Sequence, residues 1–206
     1  MMVDVHPLFA TFLAALCMLA GCRGDAPGSE AVGESGGSGT GENATDAYSS
    51  TEGTFNGGSA SLVLVDGWTA DPTPPPALMG DRPAVVDCEF GWGLEDGVFE
   101  VDSGLCNWGA FVQPSLEPIV AGDQIEIIVL HDALYSEDDG ATAHIAVSIG
   151  EAVVWDTTVM IPAPQGLLRP AVLAPADAPV GTPIHVHVHN HGYNNYRFVD
   201  MIVNHR

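Results

Sequence analysis

Pro183-Ile184-His185-Val186-His187-Val188-His189-Asn190 is the stretch that decides the fold. Apolar and polar residues alternate there with a period of two. A β-strand sends successive side chains to opposite faces, whereas a helix would scatter them around its axis. Ile184, Val186 and Val188 therefore face a core, and His185, His187 and His189 face away from it. Working outward, Gln124–His131 (QIEIIVLH) is a nearly continuous apolar run, suited to a strand covered on both faces. Residues 143–149 and 152–159 flank Gly150-Glu151, a hairpin signal. Residues 61–66, 84–90, 97–102, 107–113, 166–174 and 196–204 read as further short strands. Residues 69–83 (TADPTPPPALMGDRP) are irregular, because proline excludes helix interiors and central strands. No segment has sustained helical periodicity with caps. Short strands separated by turn signals every ten or so residues predict an all-β, jelly-roll-like antiparallel β-sandwich.

Upstream of these strands the chain changes character. An apolar run, residues 7–18, leads into Leu19-Ala20-Gly21-Cys22, which resembles the lipobox of bacterial lipoproteins. The resemblance implies a signal peptide over residues 1–21, cleavage before Cys22, and acylation of that cysteine. More than one acyl chain gives stable membrane anchoring. The first seven residues carry no Lys or Arg, unlike most leaders. Arg23 rather than Asp follows the cysteine, which by analogy points to the outer membrane of the cell envelope. Residues 22–59 read as the acylated cysteine and a flexible Gly/Ser/Thr/acid-rich tether, with too few apolar groups to offset ordering entropy. Residues 60–206 read as one β-sandwich domain.

Charge narrows the partners. Five basic residues, all Arg, stand against 27 acids, for a formal net charge of -22. Such a surface repels phosphate backbones and anionic headgroups, so nucleic acid is excluded as a partner and lipid is the expected membrane contact. Cys17 falls in the leader and Cys22 carries the lipid, which leaves Cys88 and Cys106 as an even pair in an oxidising compartment. A disulfide between them is expected.

The segment HVHVHNHGYNNYRFVDMIVNH, residues 185–205, resembles the closing strands of galactose-binding-like jelly rolls, the fold of many carbohydrate-binding modules. The turn matches His191-Gly192-Tyr193-Asn194-Asn195, the aromatic matches Tyr196, and the last strand carries Asp200 among apolar residues. The resemblance implies a sandwich, with Tyr193, Asn194 and Tyr196 as candidate contacts for a carbohydrate or another surface ligand. Trp92 and Trp108, in FGWG and CNWG, join them as candidate sugar platforms, or else pack on the disulfide.

The histidine row carries the strongest chemistry. His185, His187, His189 and His191 line one strand face, and imidazoles at i and i+2 can share an ion that suits zinc or copper. His144 alternates out of its own strand in the same way, and His131 ends another. The other readings are a solvated polar face or a pH-sensitive one. An acidic loop, Ser136-Glu137-Asp138-Asp139-Gly140, is a candidate for structural calcium or a plain solvated turn. No G-x-S-x-G, H-E-x-x-H or phosphate loop is present. The expectation is a lipid-anchored, non-enzymatic envelope binding protein. Two alternatives stand beside it: a zinc- or copper-binding lipoprotein, and a structural envelope protein without a small ligand.

Overall fold

The computed structural model describes residues 57–206; the signal segment, Cys22 and nearly all of the tether lie outside the described residues. Twelve strands occur among the described residues: β1 (Ser59–Ser61), β2 (Thr69–Ala70), β3 (Trp92–Glu95), β4 (Val98–Asp102), β5 (Trp108–Pro114), β6 (Gln124–His131), β7 (Thr142–Ile149), β8 (Ala152–Met160), β9 (Gly166–Leu168), β10 (Ala171–Leu173), β11 (Pro183–Asn190) and β12 (Asn195–Asn204). They form two sheets in which every pairing is antiparallel. One has the order β10-β6-β12-β4-β3, with β1 also on β12 and β9 also on β6; the other has the order β2-β5-β11-β7-β8. The chain is an antiparallel, jelly-roll-like β-sandwich, as the alternation in β11 predicts.

The core lies between the sheets and is built from alternate residues of each strand. Val186 stands in register with Phe111 on β5 and Val147 on β7, all of them buried. Ile125, Ile127 and Val129 of β6, with Phe198, Met201 and Val203 of β12, face them from the opposite sheet. Phe99 joins the two layers, packing edge-on to Phe111 with ring centroids 5.0 Å apart and against Trp68 at 5.6 Å. Each fully buried aliphatic or aromatic side chain of this kind stabilises by roughly 1.5–3 kcal/mol.

Several expectations need correction. Strand β6 is not covered on both faces. Its burial alternates, with Ile125, Ile127, Val129 and His131 inside and the intervening residues partly exposed, because only one face meets the opposite sheet. Residues 84–90 form no strand. Asp87 is instead held by Asn107, whose backbone N–H and side chain bind the Asp87 and Val85 carbonyls while Asn107 Oδ1 accepts from the Asp87 N–H. Residues 62–66 leave the sheet after β1. Leu62 and Val63 pack in the core there, while Leu64 and Val65 are exposed. The single strand expected over 166–174 is two, β9 and β10, broken by Arg169-Pro170. The expected disulfide is present: Cys88 is bonded to Cys106 and ties the irregular stretch after the proline segment to the start of β5. A closed loop of this size is worth about 3 kcal/mol on the chain-entropy scale.

Asp123 fastens the end of the chain. Its buried carboxylate accepts from the Val120 N–H at 2.9 Å, from His205 Nδ1 at 2.8 Å and from the Arg206 N–H at 3.3 Å. Burial opposes its ionisation, yet these donors outweigh burial and hold the carboxyl below the usual range. A group depressed in this way contributes stability above its unfolded value of about 3.9, and the contribution fades as pH falls through the lower folded value. The Asp123→Asn variant is therefore expected to lose about 1–2 kcal/mol at pH 7. Thermal unfolding of the two proteins should show that gap shrinking steadily below about pH 4.

Candidate metal centre

The outward residues of β11 meet small neighbours. His187 stands opposite Ala110 on β5 and Ala146 on β7; His189 stands opposite Trp108 and His144; His185 stands opposite Val112 and Ser148. The two alanines flanking His187 leave a shallow well in the sheet. The proline-rich segment 71–83 crosses this face and sends Asp81 down to the histidines. The face is therefore not solvated: His187 is 0% exposed and His185 6%. Proline suits such a crossing, since it lacks the N–H that would compete for a strand pairing.

Asp81 is the hub. Its Oδ2 lies 2.6 Å from His144 Nδ1 and 3.2 Å from His189 Nδ1, and its Oδ1 lies 3.2 Å from His187 Nε2. Trp108 Nε1–H donates to Oδ1 at 3.0 Å. Burial opposes ionisation of Asp81, but hydrogen bonds from His187, Trp108 and His144 overcome it and hold the carboxyl far below its ordinary range. Burial also pushes the His189 imidazole below its ordinary value, against the attraction of Asp81. Asp81, His144 and His187 each offer a ligand atom within 4.8 Å of the others, the one such convergence of three groups among the described residues. Neighbouring ligand atoms on a tetrahedral zinc ion, bound at about 2.0–2.1 Å, stand roughly 3.3 Å apart. The Asp81 contacts with His187 and His189 already have that spacing.

His187 sharpens the chemistry. Its Nδ1 lies 2.8 Å from the Gly109 carbonyl oxygen, so that nitrogen must donate. Its Nε2 then faces the Asp81 carboxylate as a bare lone pair unless a proton or a metal ion lies between them. A ligand histidine usually donates its other ring N–H to a backbone carbonyl, and His187 has that arrangement.

The remaining histidines are elsewhere. His185 Nε2 pairs with Asp71 Oδ2 at 3.1 Å, and its Nδ1 lies 3.3 Å from Ser148 Oγ. Ser148 in this Ser-His-Asp chain is wholly buried. His191 is exposed at the end of β11, with its ring 4.8 Å from that of His189 and its Nδ1 near the Thr142 carbonyl. His131 belongs to the other sheet.

Of the candidate ligand platforms, Trp108, Asn194 and Tyr196 are buried and present no face to a sugar. Trp108 lies beneath Arg82, whose guanidinium stands 4.5 Å from the ring centre. Tyr196 donates its hydroxyl to Asn190 Oδ1, and Asn194 binds the Tyr135 carbonyl. Trp92 packs on Phe111 at 5.2 Å. Tyr193, at 79% exposed, is the one of these residues fully open to solvent. Glu137, Asp138 and Asp139 lie exposed on their loop, outside the convergent group.

No protein-family model matches the chain, and no curated protein matches it. Among solved structures, a CBM4 domain is 15% identical over 68% of this chain and 88% of its own, with a TM-score of 0.41. The K1 cleaved adhesin domain of Lys-gingipain from Porphyromonas gingivalis is 14% identical over 72% of this chain and 97% of its own, with a TM-score of 0.37. A carbohydrate-binding module described for specific mannan recognition, TmCBM27, is 10% identical over 72% and 96%, with a TM-score of 0.39. The chemistry of the site rests on its own residues.

Proposed function

We propose that the domain is a metal-binding module that takes one zinc or copper(II) ion between Asp81, His144 and His187, with His189 beside them on the same carboxylate. The carrying observation is His187, a fully buried imidazole with acceptors at both ring nitrogens. A buried imidazolium would satisfy it, but His144 and His189 crowd the same carboxylate, and several cationic rings around one acid repel each other. A divalent ion accepts neutral imidazoles and a carboxylate together, and this donor set suits zinc and copper. The acidic surface raises the local concentration of cations. Calorimetric titration with zinc should give one site per chain. Cobalt(II) in its place should give the visible bands of a tetrahedral ion. The His187→Ala/His189→Ala double variant should lose both, and binding should weaken as pH falls because protons compete with the ion for the imidazole nitrogens. A flat titration of the wild-type protein would remove the reading.

A second reading, a carbohydrate contact, is supported by a different place. Tyr193 and Tyr135, 79% and 66% exposed, stand at the end of the sandwich where Ser103, Asn107, Glu137 and Asp138 line a hollow of about 320 Å3. Exposed aromatic rings beside polar groups suit sugar rings. A glycan array should show binding that Tyr193→Ala abolishes, and an array without signal counts against it.

The place of action follows from the amino-terminal motif. The proposed protein is an envelope lipoprotein, held in the outer membrane through acylated Cys22. Mass spectrometry of the mature protein should find three acyl chains on an amino-terminal Cys22, and Cys22→Ser should release the protein from membranes. An unmodified thiol there would overturn the anchor.

A further inference from the structure

We infer that the ion is also a latch: its occupancy decides whether segment 71–83 is closed over the outer face of the β2-β5-β11-β7-β8 sheet or lifted from it. This inference rests on the metal reading above.

The segment is poorly fixed by its own backbone. Prolines at 72, 74, 75, 76 and 83 supply no N–H. Among the described residues, its one backbone hydrogen bond to the sheet is from the Asp71 N–H to the Ala110 carbonyl at 2.8 Å. The others close turns within it, from Leu78 to Pro75, from Met79 to Pro76 and from Arg82 to Met79. Side chains do the rest, including buried Pro74 and Pro75. Asp71 on His185 holds the near end, buried Leu78 packs toward β8 in the middle, and Asp81 on the histidines holds the far end. Arg82 is exposed and lies over Trp108 beside this last anchor. Alongside the segment a hollow of about 480 Å3 opens between Pro72, Arg82, Val86 and Trp108, so that side is not packed tight. With the ion bound, Asp81 becomes a ligand shared with two other strands, β7 and β11. Without it, Asp81 keeps only its hydrogen bonds to Trp108 and the histidines.

Lifting the far end would uncover Trp108, Ala110, Ala146 and His187, all under 4% exposed in the closed form. The covered and uncovered faces differ in chemistry. One shows Pro72, Thr73, Pro76 and Ala77 to solvent; the other is a trough with an indole beside a row of imidazoles. An ion that binds the closed form and not the open one favours closure in proportion to its excess over the dissociation constant. At a hundredfold excess the open population falls about 100-fold.

Limited chymotrypsin cleavage after Leu78 or Met79 reads the open population directly. The full-length wild-type protein is compared after stripping with EDTA and after loading with zinc, so the comparison needs no variant to fold. Cleavage is expected to slow about 100-fold on loading at a hundredfold excess of free zinc. In the stripped protein, cleavage should run from an open population far larger than the one that exchanges the β6 amides, because the segment lifts without unfolding the sheets. Zinc binding in the calorimeter with unaltered cleavage would overturn the latch and leave the metal site standing. Absence of zinc binding would overturn both. Cleavage of the stripped protein no faster than global unfolding, as read by the β6 amides, would mean that the segment opens only with the whole domain, and would likewise overturn the latch.

Discussion

The central strand β11 has two faces with incompatible needs, and the rest of the domain is arranged to satisfy both. Ile184, Val186 and Val188 require burial against the opposite sheet. Because the side-chain period of a strand is two, burying them fixes His185, His187 and His189 on the reverse side. As the middle strand of its sheet, β11 is flanked by β5 and β7, so two neighbours also shape the reverse side. Ala110 and Ala146 make room there, and Trp108 and His144 form its rim. A buried imidazole without partners is costly, so the covering segment must bring acceptors with it. Asp71 and Asp81 are those acceptors.

The charge balance gives this arrangement a direction. With 27 acids and no Lys, the chain has few cations of its own to pair with a buried carboxylate. Where an Arg is available, it is used. Arg197 bridges Glu100 at 2.5 Å and Asp132 at 3.0 Å, and Glu100 is still pushed up by burial. Arg169 likewise reaches Glu126 on the neighbouring strand. Among the described residues, no Arg forms an ion pair with Asp81 at the centre of the outer face. Arg82 turns instead onto the ring of Trp108. The compensating charge for Asp81 must come from imidazoles or from an ion that they share.

Much of the scaffold was legible residue by residue. Strands β6 and β11 have the boundaries their patterns suggest, and the hairpin at Gly150 joins β7 to β8. The pairing of Cys88 with Cys106 followed from compartment and parity. Legibility failed where pattern and context diverge. The apolar residues at 84–90 look like a strand, but the disulfide and the Asn107 bonds hold them in an irregular path. The aromatics Trp108 and Tyr196 look like platforms, but neighbouring segments cover them. Burial by a distant part of the chain leaves no local signature.

What the sequence by itself determined is the sandwich and the existence of a histidine face, because alternation is a local property that survives wherever the strand is placed. What only the tertiary structure decided is the composition of the site. Asp81 lies 63 residues from His144 and 106 from His187, inside a proline-rich stretch with no periodicity to mark it. Which loop crosses which sheet depends on the closure of the whole fold. The selection of His144, His187 and His189 over His185 and His191 follows from where one carboxylate descends, a matter of a few ångströms that no pattern in the chain encodes.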